Sequence, residues 1–172
     1  MSQVREAGPE DMLQLTGLLD EYMQETFQKR WTGSREALTR AVLHGGISAL
    51  VAFDDAEMVG FTFWQRSYDV HHTAWGGHLL DLYVQKPLRG GGIAPELLLA
   101  TIAAVHRTGG HFLRGQGVSE QGDRLYDRFA VTFPGTQFIL GGRAFRELAG
   151  LYGLPLREAF RRIPAKSANF EP

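Results

Sequence analysis

Three consecutive glycines, Gly90, Gly91 and Gly92, stand between an apolar run and a helix-like stretch, and this junction narrows the choice of fold more than any other part of the chain. The run ends in Leu82, Tyr83 and Val84, then passes through Gln85, Lys86, Pro87 and Leu88 to Arg89. Beyond the glycines, Ile93, Ala94, Leu97, Leu98 and Ile102 recur at helical spacing. A strand therefore enters a glycine-rich turn that opens a helix. Without Cβ atoms, successive backbone N–H groups converge unobstructed. The helix N-terminus adds the positive end of its dipole, which makes an anion site suited to a pyrophosphate. Arg89 at the entrance can supply a charge-assisted hydrogen bond.

Other phosphate-binding patterns fit less well. A P-loop ends in Gly-Lys-Ser/Thr, and Gly92-Ile93-Ala94 has neither of the last two. A dinucleotide fingerprint belongs to an early βαβ unit, whereas this turn comes mid-chain after a hairpin pattern. A merely tight connection does not require three glycines after an arginine.

The rest of the chain supplies the elements of a mixed α/β domain. Residues 4–7 read as a strand, and Gly8-Pro9-Glu10-Asp11 as a helix start followed by Met12, Leu15, Leu18, Leu19 and Tyr22 on one face. Ser34 caps a second helix that Gly45-Gly46 ends. Residues 47–53 and 58–64 form a hairpin about Asp54-Asp55, residues 67–77 read as loop, and 78–84 as a strand. Helices are expected over 96–106, 120–129 and 143–151, and strands over 112–118 and 136–140. The order β-α-α-β-β-β-α-β-α-β-α points to one central sheet with helices packed on it. The 172 residues fit one domain over 1–150 and a short helix with a tail over 151–172.

Composition removes several functions. There is no cysteine, hence no disulfide, thiolate zinc site or cysteine nucleophile. The 18 basic and 19 acidic residues leave no excess to neutralise nucleic-acid phosphates. No apolar run approaches the roughly 20 residues of a membrane span, and the first residues lack the apolar core of a signal peptide. A cytoplasmic protein is the expectation. His71-His72 suggests a metal site, but neighbouring histidines point apart and no third ligand stands at a usable spacing, so they read as loop residues and no metal is expected.

The segment Arg89-Gly90-Gly91-Gly92-Ile93-Ala94 resembles the acetyl-CoA motif of the GNAT N-acetyltransferase superfamily, Arg/Gln-x-x-Gly-x-Gly/Ala. The resemblance spans about residues 3–150 and implies a mostly antiparallel twisted sheet, splayed at the cofactor site, with helices on both faces. It implies that acetyl-CoA is the donor. Backbone amides of Gly90, Gly91, Gly92 and Ala94 would hold the pyrophosphate, with Arg89 and Ile93 in the same turn, and Leu82, Tyr83 and Val84 would line the pantetheine and thioester. Asp81-Leu82-Tyr83-Val84 with Arg89-Gly90 is similar to the diamine (polyamine-type) branch, as are Val59-Gly60-Phe61 and Phe138-Ile139-Leu140-Gly141-Gly142. That branch carries Glu where this chain has Leu80.

Acetyl transfer to an amine needs a proton acceptor for the amine and a proton donor for the leaving thiolate. Without a cysteine, direct attack in a ternary complex is the simplest scheme. Residues 119–129 resemble the family's catalytic-tyrosine helix, which implies that Tyr126 is the acid; a phenol with a reference pKa of about 10 stays protonated at neutral pH. The base stays open between Asp81, His78 three residues earlier, and a water relay. Alternation puts Leu80 and Asp81 on opposite faces, and a bulge would change that register. Acids and aromatics suit a cationic acceptor, so Glu21, Tyr22, Glu25, Trp64 and Tyr68 are candidates for its pocket, although Glu21 and Glu25 also read as a solvated helix face. The expected reaction is acetylation of a primary amine on a polyamine-like or amino-acid-like small molecule. A protein acceptor and a non-catalytic acetyl-CoA-binding module are the rivals. Sheet edges and family habit suggest a homodimer.

Overall fold

The computed structural model describes residues 3–126, Arg143, Glu147, 155–165 and 167–168. They fall in two compact units, 1–129 and 130–172. The first contains β1 (Gln3–Glu6), a 3-10 turn (Pro9–Asp11), α1 (Met12–Phe27), α2 (Arg35–Leu43), β2 (Ser48–Asp54), β3 (Glu57–Asp69) and β4 (Ala74–Val84). A second 3-10 turn (Lys86–Leu88), α3 (Ile93–Arg107), β5 (Leu113–Arg114) and α4 (Glu120–Tyr126) follow. The second unit contains α5 (Leu156–Arg161), and in it Arg143 and Glu147 are helical and form an ion pair at 3.6 Å. The strand expected over 136–140 and most of the helix expected over 143–151 lie outside the described residues.

The sheet runs β1-β2-β3-β4-β5, antiparallel through β4, with β5 parallel to β4. Each face has its own core. On one, Leu15, Leu19 and Tyr22 of α1 pack on Val51, Phe61, Phe63 and Tyr83, flanked by Leu38 and Val42 of α2. On the other, Ile93, Leu97, Ala104 and Val105 of α3 cover Leu50, Ala52, Val59, Trp64 and Val84. Helices therefore lie on both faces, as the sequence pattern predicts. Thr62 and Thr101, both fully buried on the α3 face, share a hydrogen bond at 3.0 Å, and Thr101 also donates to the Leu97 carbonyl.

Two expectations need correction. The stretch 67–77 is not a loop: β3 and β4 pair through Ser67–Gly76, Tyr68–Trp75 and Asp69–Ala74, and only four residues form the turn. Tyr68 and Trp75 sit edge to face at 4.8 Å, and Arg66 lies over Trp75. These cross-strand pairs hold a ribbon whose side chains are largely exposed, so it lacks the alternation that marks a half-buried strand. Asp69 closes the turn by accepting from the His71 and His72 amides and bonding the His72 ring, which lowers its pKa to about 2. Second, β5 is two residues long rather than seven, pairing at Gly77–Leu113 and His78–Arg114. Gly76 permits this contact, since a Cβ there would lie 2.5 Å from the Phe112 carbonyl oxygen.

The entry to α1 rests on an ion pair. Arg5 donates to both oxygens of Asp11 at 2.6 and 2.8 Å, and the Gly8 amide donates to Asp11 at 2.7 Å. Asp11 is buried, and the Arg5 hydrogen bond, partly opposed by that burial, holds its carboxyl below the usual range. A lowered folded pKa stabilises the fold above the ordinary carboxylate range, and the contribution is lost as pH falls through the lowered value. Asp11→Asn should cost about 1–3 kcal/mol at neutral pH. The low end is expected because Arg5 is partly exposed and screened. In urea titrations the gap between variant and parent should close as pH drops below about 4.

Candidate active site

The β3–β4 register shifts at the centre of the sheet. Phe63 pairs with Asp81, but the next residue, Trp64, pairs with Leu79, so Leu80 has no partner across the ladder. This is a β-bulge. Leu79 and Asp81, which strict alternation would put on one face, face opposite sides. Leu79 is buried opposite Trp64, Asp81 lies on the α1 side opposite Phe63, and Leu80 is 38% exposed. Tyr22 of α1 reaches Asp81 from above, its hydroxyl donating to Oδ1 at 2.8 Å. Burial raises the Asp81 pKa, and the Tyr22 hydrogen bond works against that rise. The Tyr22 phenol is raised by burial and by the Asp81 charge.

β4 outruns its partner on the other side. Its last residue paired with β5 is His78, and it continues to Val84 without a β5 partner among the described residues. The chain is still close at Gly115, where a Cβ would sit 3.1 Å from Leu79 Cβ, and then leaves the sheet toward α4. This is the splay that the family resemblance predicts. Tyr126 ends the described part of α4. Its phenol is raised first by burial and then by the charges of Asp123 and Asp81, and its own charge would in turn raise Tyr22. Asp81, Tyr22 and Tyr126, 45 to 104 residues apart in the chain, therefore form one electrostatic group.

The glycine turn follows β4. Gly90 and Gly92 have φ of +87° and +91°, the left-handed region that glycine enters at no cost. A Cβ at either would meet no atom within 4 Å, so conformation rather than crowding requires glycine there, and the turn faces open space. Gly92 is the N-cap of α3, whose hydrogen-bond ladder begins with the Glu96 amide donating to the Gly92 carbonyl at 3.1 Å. The amides of Ile93 and Ala94 precede that ladder and have no intrahelical acceptor. Pro95 in the third helical position has no N–H to offer, which sequence reading did not single out. Converging amides at a helix N-terminus fit a pyrophosphate.

Arg89 is committed elsewhere. Its guanidinium makes a bidentate pair with Glu25 of α1 at 2.6 and 2.8 Å, its Nε donates to the Val84 carbonyl at 2.9 Å, and it lies over the Tyr83 ring. Tyr83 also donates to Glu25 at 3.2 Å. Arg89 holds the Glu25 carboxyl below its ordinary range, while burial and Glu25 push the Tyr83 phenol up to about 12. One α1 turn earlier, Glu21 accepts from Gln85 at 3.0 Å.

Of the residues expected in the acceptor pocket, Tyr22 is buried against Phe61, Tyr83 and Phe27 and reaches the site only through its hydroxyl. Glu21 and Glu25 tie α1 to the end of β4. Trp64 is buried on the α3 face, opposite the Asp81 side, because it follows Phe63 in β3 and strand alternation turns it to the other face. Its Nε1 has no hydrogen-bond partner among the described residues. Tyr68 lies out on the β3–β4 ribbon. Among the described residues no group of three metal-ligating side chains converges, and no helix is long and apolar enough to cross a membrane.

Residues 5–122 match the family model of the acetyltransferase (GNAT) domain, and the chain belongs to that family. Acetyl-CoA is accordingly its cofactor. Solved structures share the fold. A ribosomal-protein-alanine N-acetyltransferase from Brucella melitensis biovar Abortus 2308 is 20% identical, covers 81% of this chain and 98% of its own, with a TM-score of 0.69. An aminoglycoside acetyltransferase from an uncultured soil metagenomic sample is 22% identical over 80% and 96%, with a TM-score of 0.69. An acetyltransferase from Clostridium acetobutylicum, solved with acetyl-CoA, is 15% identical over 82% and 96%, again at 0.69. No curated protein matches the sequence.

Calorimetric titration with acetyl-CoA should show binding to the parent protein. Gly91→Glu, which puts a carboxylate among the turn's amides, should weaken it about a hundredfold or more.

Proposed function

We propose that the protein transfers the acetyl group of acetyl-CoA to the primary amine of a small molecule, polyamine-like or amino-acid-like, by direct attack in a ternary complex. The observation that carries this reading is the half-buried Asp81 carboxylate, held by the Tyr22 hydroxyl on the α1 face of β4 where β4 parts from β5, with the Tyr126 phenol near enough to feel its charge. Acetyl-CoA supplies an activated acetyl group and a thiolate leaving group.

Asp81 accepts a proton from the acceptor's ammonium, which frees the nitrogen lone pair for attack. Burial suits it to this work, since a carboxyl with a raised pKa is a stronger base than a solvated one. As the carbon–nitrogen bond forms and the carbon–sulfur bond breaks, Tyr126 gives its proton to the departing sulfur and recovers one from the new amide nitrogen. The proton on Asp81 leaves to solvent. The amides at 90–94 position the donor, and Leu82, Tyr83 and Val84 line its path to the reacting carbon. Leu80, standing where the diamine branch has Glu, leaves Asp81 as the carboxylate of this strand. Soluble assembly in the cytoplasm as a homodimer fits this reading.

Asp81→Asn and Tyr126→Phe should each lower kcat by about a hundredfold or more, with acetyl-CoA binding retained. Activity should fall at low pH as Asp81 protonates and at high pH as Tyr126 ionises, because the base works deprotonated and the acid protonated. A screen of polyamines, amino-acid amides and peptides with a thiol-detecting assay checks the acceptor; turnover only with peptides would contradict the small-molecule reading.

A further inference from the structure

We infer that Tyr22 is the positioning residue of the proton acceptor: its hydroxyl occupies Asp81 Oδ1 and leaves Oδ2 as the atom that takes the amine proton. This rests on the base role given to Asp81 above. Tyr22 donates to Oδ1 at 2.8 Å, and Oδ2 has no hydrogen-bond partner among the described residues. The ladder fixes the Asp81 backbone opposite Phe63, next to the unpaired Leu80, but it does not fix the rotation of the carboxylate. The hydrogen bond from α1 supplies the missing constraint, and it fixes which oxygen points toward incoming substrate.

The donor is itself held. Tyr22 is 6% exposed, and its ring packs at 5.6 Å from Tyr83, 6.1 Å from Phe61 and 5.8 Å from Phe27. Burial and the neighbouring carboxylate both keep its proton on, so it stays a donor and does not compete as an acid. Among the described residues Tyr126 of α4 also senses Asp81, and Asp123 acts on Tyr126 from the same helix. Across the α1 face, Glu25, Tyr83 and Arg89 are satisfied by one another. Two phenols thus serve one carboxylate differently: Tyr22 orients it throughout, and Tyr126 gives up its proton during turnover.

The sign of the effect follows. A hydrogen bond to the charged form favours that form, so Tyr22 lowers the Asp81 pKa against the desolvation that raises it. Its loss raises that pKa and moves the acidic limb of kcat/KM to higher pH.

The test compares the parent, Tyr22→Phe, Phe27→Leu and Asp81→Asn. It reads the pH profile of kcat/KM and, in the protein without cofactor, the titration of 13C-labelled aspartate carboxyls, with Asp81 assigned by its loss in Asp81→Asn. Tyr22→Phe should shift the Asp81 titration and the acidic limb together to higher pH, so that kcat/KM near pH 6 falls about threefold or more relative to pH 8. Phe27→Leu, which disturbs the same packing without touching the hydroxyl, should leave both in place. If Tyr22→Phe does not fold, 3-fluorotyrosine installed at position 22 keeps the packing and strengthens the donor, and it should move both readouts to lower pH. An unshifted Asp81 titration in Tyr22→Phe or the fluorotyrosine protein would overturn the inference while leaving the base role intact. Full activity in Asp81→Asn would instead overturn the base role.

Discussion

Leu80 has no partner across the β3–β4 ladder, and the arrangement of the site follows from that one unpaired residue. Because the side-chain period of a strand is two, one inserted residue sends everything beyond it to the other face. Leu79 then packs beside Trp64 under α3, while Asp81 turns to α1 and meets the Tyr22 hydroxyl. Without the bulge, Leu79 and Asp81 would share a face, and either an apolar side chain would leave the core or a carboxylate would enter it unpaired. The second possibility is the costlier, since a buried charge without a partner is destabilising by several kcal/mol. The bulge therefore reconciles a well-packed α3 face with a carboxylate on the α1 face of the same strand.

Helix α1 is the counterpart to that strand. One turn contributes Tyr22 to Asp81 and Glu21 to Gln85, and the next contributes Glu25 to Arg89 and Tyr83. The arginine that opens the glycine turn thus anchors the turn to α1 rather than standing free at the mouth of the anion site. Its Nε holds the last carbonyl of β4, so the end of the strand, the start of the turn and the helix above them are tied together through one side chain. In the proposed reading the anion-binding role falls to backbone amides, whose arrangement depends on Gly90 and Gly92 holding positive φ.

The parts of this arrangement that were legible in the sequence are those governed by short-range rules. The glycine turn, the Ser34 cap and the apolar stripe of α1 each announce themselves within a few residues; Ser34 Oγ accepts from the Ala37 amide at 3.2 Å, as a cap should. The outer half of the β3–β4 ribbon was hidden because both its faces meet solvent, so it shows no apolar alternation. The short β5 was hidden because an apolar run does not say where pairing stops. The Tyr22–Asp81 hydrogen bond joins positions 59 residues apart, and the Arg89–Glu25 pair joins positions 64 apart, with no local signal for either. Trp64 lies on the α3 face by plain alternation from Phe63, whereas the face of Asp81 depends on a bulge that no residue type in the run betrays.

A crystal structure with a non-hydrolysable acetyl-CoA analogue, an acetonyl thioether in place of the thioester, tests the central claim most directly. The account predicts the pyrophosphate against the amides of residues 90–94, the pantetheine in the gap where β4 parts from β5, and the ketone carbon between Asp81 Oδ2 and the Tyr126 hydroxyl. A ligand whose ketone lies on the α3 face of β4, or beyond reach of both Asp81 and Tyr126, would contradict it.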